Sequence, residues 1–441
     1  MAAAAAAAAE MFTVEVTSQE TVKPSSPTPP HLQTHSLSWF DQLAPPSHVP
    51  LLLFYSPPPS PVLQSLKRSL SQTLSLFPLL AGRLENEASQ IRCGDQGVEF
   101  FEARVDSTLS HLQQQQLSLQ SLDALLPCDR SCSCWGQALL AVQINTLSCG
   151  SVVIGICVAH KIADGLSLAN FVTAWAAAAA GGGGGDIPRP NLGAASLFPP
   201  SEKANLALAS VKWSLKPTKK LLTKRFLFDE ANLAALRGSS STRVEAVAAL
   251  VWRCAMRARP EEAAARVSLA FVVVDVRGRM EPPLDGSSFG NLCIYAAASE
   301  VEAGDEGAKR RTEVKLRNGI KKIDKEYLGQ LQGADGPLLA FEKGREAARE
   351  HGKGDDDVDD IDIYYFNSWA RFPVYEADFG WGKPVWAGTA RFFWKNLIML
   401  MGRGGDGGME AWVTLEEEEM VKFEKDQELV SYATSLASIA A

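Results

Sequence analysis

Apolar and polar positions alternate along "MFTVEVTSQETV" and then give way to "KPSSPTPP", which predicts a strand running into a loop. Farther on, "VPLLLFY" is apolar throughout and closed by prolines, the pattern of a buried strand. Leu63, Leu66, Leu70 and Leu74 recur at spacings of three and four, so one face of an amphipathic helix lies there, ended by Pro78. "GVEFFEARV" reads as a strand, and "QALLAVQINTL" and "SVVIGICVAH" flank "SCG" as a hairpin-like pair. A helix, "GLSLANFVTAWAAAAA", follows and dissolves into Gly181–Gly185.

The second half repeats this grammar. "TKRFLFD" predicts a strand, and "STRVEAVAALVWRCAMRA" a helix with a Ser/Thr start. "VSLAFVVVDVRGR" predicts a buried strand, and "RTEVKLRNGIKKIDKEYLGQL" one charged amphipathic helix. "ARFFWKNLIMLM" and "MEAWVTL" read as strands joined by the turn "GRGGDGG". "EEEEMVKFEKDQELVSYATSL" predicts a closing helix with acid in its first turn, where the helix dipole favours it. Strands and helices mix without strict alternation, so the fold class is mixed α/β (α+β) in two domains. The Gly/Pro-rich stretch 186–210 lacks periodicity and is the expected linker. It separates an N-terminal domain, 1–185, from a C-terminal domain, 211–441.

Composition narrows the class. A chain of 441 residues exceeds what one compact core usually holds. The net charge of −8, with no long Lys/Arg stripe, argues against a nucleic-acid partner. The eight cysteines show no secreted-scaffold spacing, which fits a reducing compartment. "MAAAAAAAAE" lacks the basic start of a signal peptide, and no window is long and apolar enough to span a membrane. A cytoplasmic, monomeric protein with no membrane partner is expected.

Candidate chemistry centres on "HKIADG". His160, one of six histidines, stands at the tip of an apolar strand, with Asp164 four residues on and Gly165 behind it. A neutral imidazole at a strand end can take a proton near neutral pH. The bland alternative is a polar strand end, with Asp164 as the N-cap of the following helix. Far downstream stands "DFGWG", Asp378 to Gly382, inside "NSWARFPVYEADFGWGKPVW".

Together "HKIADG" and "DFGWG" resemble the two signatures of the BAHD acyltransferases, the coenzyme A-dependent family of plant specialised metabolism. "HSLSWFDQLAPP", "FPLLAGRL", "VDVRGRMEPPLDGSSFGN" and "MEAWVTLEEEEMVKFEKDQELVSYA" sit in the family's order, so the resemblance covers nearly the whole chain. It looks most like the branch of alkaloid, alcohol and terpenoid acetyltransferases. The resemblance implies two chloramphenicol-acetyltransferase-like domains with a solvent channel between them. It implies acyl-CoA as co-substrate with no bound cofactor or metal, and transfer of an acyl group, with acetyl favoured over benzoyl, to a hydroxyl or amine.

Residue by residue, the resemblance implies His160 as general base and Asp164 as structural support paired with an arginine. Arg277 is the expected partner and Arg279 the alternative. Asp378, Gly380 and Gly382 are implied as structural support of the site. Asn367, Ser368 and Trp369 are candidates for the oxyanion, although many relatives carry Thr or Ser where Asn367 stands. Ser241, Thr242 and Arg243, at a helix start, are candidates for the CoA phosphates, with Lys219, Lys220 and Lys224 as weaker ones. Cys157 is expected to be a packing residue.

Other signals are read as structural. Cys128, Cys132 and Cys134 lack a fourth ligand at zinc spacing, and the acidic run 355–362 lacks the glycine and terminal glutamate of a calcium loop. "GRGGDGG" lacks the Lys-Ser/Thr ending of a phosphate loop. The acidic stretch "GKGDDDVDDID" argues against an anionic acceptor, and the apolar "HVPLLLFY", read as a pocket segment, argues for an apolar one. Three rivals stay open: a condensation-type domain, which usually carries a second His where Ala159 stands, a relative recruited to a lyase-like reaction, and a catalytically silent binding homologue.

Overall fold

The computed structural model describes residues 12–85, 90–114, 122–127, 137–181, 187–204, 220–237, 241–263, 266–304, 307–349, 361–392 and 394–436. Cys128, Cys132, Cys134, Lys219 and most of the acidic run lie outside them, as do the N-terminal alanines. Two sheets organise the chain. In the first, Val14–Val22, Val98–Val105, Leu140–Leu147, Val152–Ala159, His48–Tyr55 and Trp386–Gly388 lie side by side in that order. In the second the order is Cys293–Glu300, Val267–Asp275, Ile361–Ser368, Leu397–Gly402, Met409–Glu416, Leu221–Phe228 and Thr434–Leu436.

Each sheet owns a core. Leu66, Leu70 and Leu74 of the helix Leu63–Leu74 are fully buried against the first, beside Phe171 and Trp175 of the helix Gly165–Ala179. The buried Trp175 indole keeps its polar end satisfied by donating to Ser69 Oγ at 3.0 Å. The helix Arg243–Ala258 covers the second sheet with Val247, Leu250 and Trp252. "HVPLLLFY" requires a correction: all eight residues of His48–Tyr55 are buried between Val152–Ala159 and Trp386–Gly388. Its apolar character is that of a core strand and says nothing about an acceptor.

Two expected long helices are each two short ones. The Asp324 side chain accepts the Tyr327 N–H and starts a new helix, Lys325–Gln330, after Ala308–Lys321. Asp426 accepts the N–H groups of Glu428 and Leu429 and separates Glu417–Phe423 from Gln427–Tyr432. An internal Asp competes for backbone donors and resets the helix, which periodicity alone does not show. Within "ARFFWKNLIMLM" the strand starts only at Leu397, because Asn396 takes the left-handed conformation, φ 60°.

The division at 186–210 is not a clean cut. Trp386–Gly388, from the second half, hydrogen-bonds with His48–Tyr55 as an edge strand of the first sheet. Val374, Ala377, Phe379 and Ala387 are buried in the first core. The Trp386 indole reaches back across the interface, donating to Glu410 Oε1 at 3.3 Å beneath the Arg225 guanidinium, 4.5 Å above its ring. This segment ties the halves together.

The central strand Val152–Ala159 tolerates no extra atom at its middle. A Cβ on Gly155 would lie 2.1 Å from the Leu125 carbonyl oxygen, a backbone atom that cannot step aside. Gly155→Val is expected to destabilise the fold by about 1–3 kcal/mol or more. An unchanged denaturant midpoint would show that residues 122–127 do not pack on this strand as described.

Candidate active site

The strand Val152–Ala159 is buried along its whole length, and its register with His48–Tyr55 carries over to His160, whose N–H donates to Ser47 O at 2.8 Å. Four residues on, Asp164 begins the helix Gly165–Ala179, accepting the Ser167 N–H at 2.8 Å. The expected N-cap is therefore present, and the same carboxylate has a second partner. Arg277 meets it end-on, Nη1 to Oδ2 at 2.9 Å and Nη2 to Oδ1 at 3.1 Å. Leu292 N–H adds a further bond at 3.1 Å.

Arg277 is saturated. Its Nε donates to Ser288 O, Nη1 also to Asp275, and Nη2 also to Ser167 Oγ and Gly290 O. Arg279, the alternative partner, instead donates to the carbonyls of Ile320 and Ile323. Burial by itself would push the Asp164 carboxyl up. The Arg277 guanidinium and the Ser167 hydrogen bonds outweigh it and hold the group below the ordinary carboxylate range. Burial likewise works against the Arg277 charge, and Asp164, then Asp275, more than offset it.

A residue absent from the sequence reading fixes the imidazole. Asn291 Nδ2 donates to the His160 carbonyl at 2.6 Å and to Asp41 Oδ1 at 2.9 Å. Both amide protons are thus committed to acceptors, so the end facing His160 Nδ1, 2.9 Å away, is the carbonyl Oδ1. An amide oxygen only accepts. Nδ1 therefore carries the proton, and Nε2 presents its lone pair. Asp41 is itself fixed by a capping box with Ser38 and accepts the Asn291 N–H at 2.7 Å. Among the described residues nothing hydrogen-bonds Nε2, and the ring is half-buried. Burial, assisted by the neighbouring Lys161 ammonium, lowers the His160 pKa. Its own backbone, Asn291 and Asp164 oppose this only in part. A neutral imidazole with an open Nε2 can accept a proton from a hydroxyl or amine.

The remaining candidates divide by place. The Trp369 indole packs on Gly165, where an added Cβ would lie 2.5 Å from its Nε1. Trp369 therefore stands at the His160–Asp164 turn. Asn367 closes the strand Ile361–Ser368 with a buried Oδ1 that has no partner among the described residues, and Ser368 Oγ accepts the Ala370 N–H at 3.4 Å. Asp378 Oδ1 gathers the N–H groups of Gly380 and Gly382, at 2.8 and 2.9 Å, in a tight loop where both glycines take positive φ. Phe379 from that loop stacks edge-on against Trp175 at 4.9 Å, so the loop is anchored in the first core.

Ser241, Thr242 and Arg243 stand apart from this cluster. Thr242 forms a capping box with Glu245, whose carboxylate also pairs with Arg317 at 2.7 Å, while exposed Arg243 donates to Gly407 O. Lys220 pairs with Glu417 and Lys224 with Glu424. Cys157 is fully buried mid-strand. Among the described residues no group of three or more His, Cys, Asp or Glu could hold a metal ion, and no helix is long and apolar enough to cross a membrane.

Asp164→Ala strands a buried guanidinium with a single remaining carboxylate, Asp275, and removes an N-cap. It is expected to lower stability by about 3–5 kcal/mol, read from urea or guanidinium unfolding. Arg277→Lys loses the two-point contact and is also expected to destabilise. A loss under ~1 kcal/mol for Asp164→Ala would contradict the pairing described.

A sequence profile of the Transferase family matches residues 12–430. Stemmadenine O-acetyltransferase of Catharanthus roseus is 34% identical over 94% of this chain and 96% of its own length. The crystal structure of vinorine synthase, an enzyme of Rauvolfia serpentina, superposes with a TM-score of 0.80 at 32% identity, covering 97% of this chain and all of that one. At 19% identity the crystal structure of F. sporotrichioides TRI101, complexed with coenzyme A and T-2, shares the fold. Its TM-score is 0.70, and the match covers 92% of this chain and 100% of that one. Two sheet-rich units of the chloramphenicol-acetyltransferase type are thus common ground with these enzymes. The chain belongs to the Transferase family, the BAHD acyltransferases of plant specialised metabolism, and is an acyl-CoA-dependent acyltransferase.

Proposed function

We propose that the protein moves an acetyl group from acetyl-CoA to a hydroxyl of a small neutral acceptor, with His160 as general base. The observation that carries this reading is the open, unprotonated Nε2, set by the Nδ1–Asn291 contact. The acceptor O–H gives its proton to Nε2 as the oxygen bonds to the thioester carbonyl carbon. The carbonyl oxygen becomes the oxyanion of a tetrahedral intermediate. The C–S bond then breaks, and the CoA sulfur leaves with the proton that the imidazolium returns.

No acyl-enzyme is required. Cys157, three residues before His160, is fully buried, in keeping with a packing role. The Trp369 indole N–H and the Asn367 Nδ2 are the donors proposed for the oxyanion, with Ser368 beside them. Asp164, Arg277 and the Asp378–Gly382 loop hold the site without touching the reacting atoms. Arg243, exposed at a helix start with Ser241 and Thr242, is the proposed contact for CoA phosphate. O-acetyl transfer is favoured because stemmadenine O-acetyltransferase, 34% identical, bears that activity in its name.

The test is release of free CoA thiol from acetyl-, benzoyl- and hydroxycinnamoyl-CoA with a pool of alcohols and amines. Acceptor-dependent release with acetyl-CoA is expected, and His160→Ala is expected to reduce it by about 10²–10⁴-fold. Full activity in His160→Ala would remove the base assignment. Absence of release with every donor, from folded protein, would shift the reading to a recruited reaction or a silent homologue.

The pH dependence follows from the lowered His160 pKa. The neutral form is the active one, so kcat/KM is expected to be flat above about pH 6.5 and to fall only at lower pH. Stability has the same sign. Below about pH 6.5 the unfolded chain protonates before the folded one, so the stability held by neutral His160 is lost as pH falls towards the folded-state pKa. His35 and His48, also lowered by burial, add to that loss. A kcat/KM that rises as pH drops through 6 would contradict a neutral base.

A further inference from the structure

The second sheet has two unlike faces. On the strands Val267–Asp275, Cys293–Glu300 and Ile361–Ser368 one face is buried beneath helices. It carries Ala270, Val272 and Val274, Ala296 and Ala298, and Tyr364 and Phe366. The residues between them point the other way, and the register places them side by side: Phe271 against Tyr365 and Ala297, Val273 against Tyr295. Every one of these is half-buried or exposed, with Tyr295 44% exposed. Such a row of apolar side chains on an open face asks for an occupant.

That face reaches the core of the first sheet, against which Tyr365 packs. It continues onto the neighbouring strands, where Leu397 pairs with Tyr365, Met399 with Asn367 and Trp412 with Met399. Leu397, Met399 and Trp412 are buried in the core of the first sheet. One sheet face is therefore shared: half of it docks the two halves together, and the other half stays open beside the docking line. The open half also begins at the site. Cys293 is two residues after Asn291, the residue bonded to His160, and Tyr295 is four residues after it, about 13 Å of extended chain. Burial raises the Tyr295 and Tyr365 hydroxyls, Tyr295 with help from Cys293 and Tyr365.

Phe271, Tyr295 and Tyr365 form a triangle of rings with centroids 5.8–5.9 Å apart. Among the described residues neither tyrosine hydroxyl has a hydrogen-bond partner, and neither is sealed from solvent. No charged group among the described residues bears on either one, and Tyr295 feels Cys293 and Tyr365. The wall thus offers a stacked Phe271–Tyr365 pair with Tyr295 edge-on to both and, among the described residues, two unpaired hydroxyls and no countercharge.

We propose that this aromatic face, Phe271, Tyr295 and Tyr365, is the acceptor-binding wall, and that it selects a neutral, ring-bearing alcohol with a second oxygen remote from the reacting hydroxyl. The rings lie on the triangle and the remote oxygen accepts from a tyrosine hydroxyl, while the reacting hydroxyl lies towards His160. This rests on the acyl-transfer reading above, since it fills the same site.

The wall is tested without turnover. 2-Naphthalenemethanol, a neutral fluorescent ring alcohol, is titrated into the His160→Ala protein. Saturable binding is expected, weakened about tenfold or more by Tyr295→Ala and by Tyr365→Ala, and little changed by Tyr365→Phe, which keeps the ring. Tyr295 is exposed enough that its truncation leaves the sheet intact, and a thermal midpoint checks each variant. Equal binding by the parent and both alanine variants would overturn the proposal, as would tighter binding of the naphthylmethylammonium cation than of the alcohol. Thiol release with His160 in place separates the two readings. Probe binding at the wall with no transfer to any acceptor would sink acyl transfer alone. Transfer to linear alcohols that the alanine variants leave undiminished, with no probe binding, would sink the wall alone.

Discussion

The fork between Arg277 and Asp164 joins the two halves of the molecule, and the placement of His160 depends on it. The carboxylate belongs to the turn behind His160 and the guanidinium to the turn after Val267–Asp275, so the pair exists only when the halves are docked. Two charges withdrawn from water in this way are not a gain in themselves. They become tolerable because every N–H of the guanidinium and both carboxylate oxygens are used. The arrangement admits one relative position of the halves. His160 lies on the turn that carries Asp164, and Asn291 on the stretch leading from Arg277 into Cys293–Glu300, so docking and imidazole orientation are one event.

From this follows the protonation state. Asp164 acts on His160 only at a distance, spent on Arg277, and Asp41 is separated from the ring by the Asn291 amide. A carboxylate placed directly on Nδ1 would favour the imidazolium. An amide there orients the ring and fixes its tautomer while adding no charge. Burial then decides the balance and keeps the ring neutral. The site separates what holds the base from what would charge it.

Much of this was legible in the chain. The strand tip at His160, the cap at Asp164 and the helix Leu63–Leu74 follow from apolar period and capping chemistry. The partner of Asp164 was narrowed to two arginines, and only coordinates separate Arg277 from Arg279. What was hidden has physical reasons. Cys293–Glu300 is rich in alanine, a poor strand former, and Trp386–Gly388 is three residues long and pairs with a strand more than three hundred residues earlier. Asn291 and Asp41 are ordinary polar residues in sequence. The signals that could have found them were an Asn directly after the glycine of "SSFGN" and the Ser-x-x-Asp capping pattern of "SWFD". "HVPLLLFY" misled because an apolar run reads alike for a pocket and for a core strand.

The shared face of the second sheet sets a constraint on how such an enzyme can change. Leu397, Met399 and Trp412 must keep their shape, because they dock the halves and so hold Asp164 to Arg277. Phe271 and Tyr295 lie on the same face outside that core, half-buried or exposed, while Tyr365 stands at the boundary, packed against the first core on one side and against the two other rings on the other. Substitutions there alter an opening, with little of the stability that a core residue contributes. The strands are common to both sets, so the wall remains rigid whatever side chains it presents. A face divided in this way lets the proposed acceptor wall vary while the imidazole, held by Asn291 two residues before Cys293–Glu300, keeps its place.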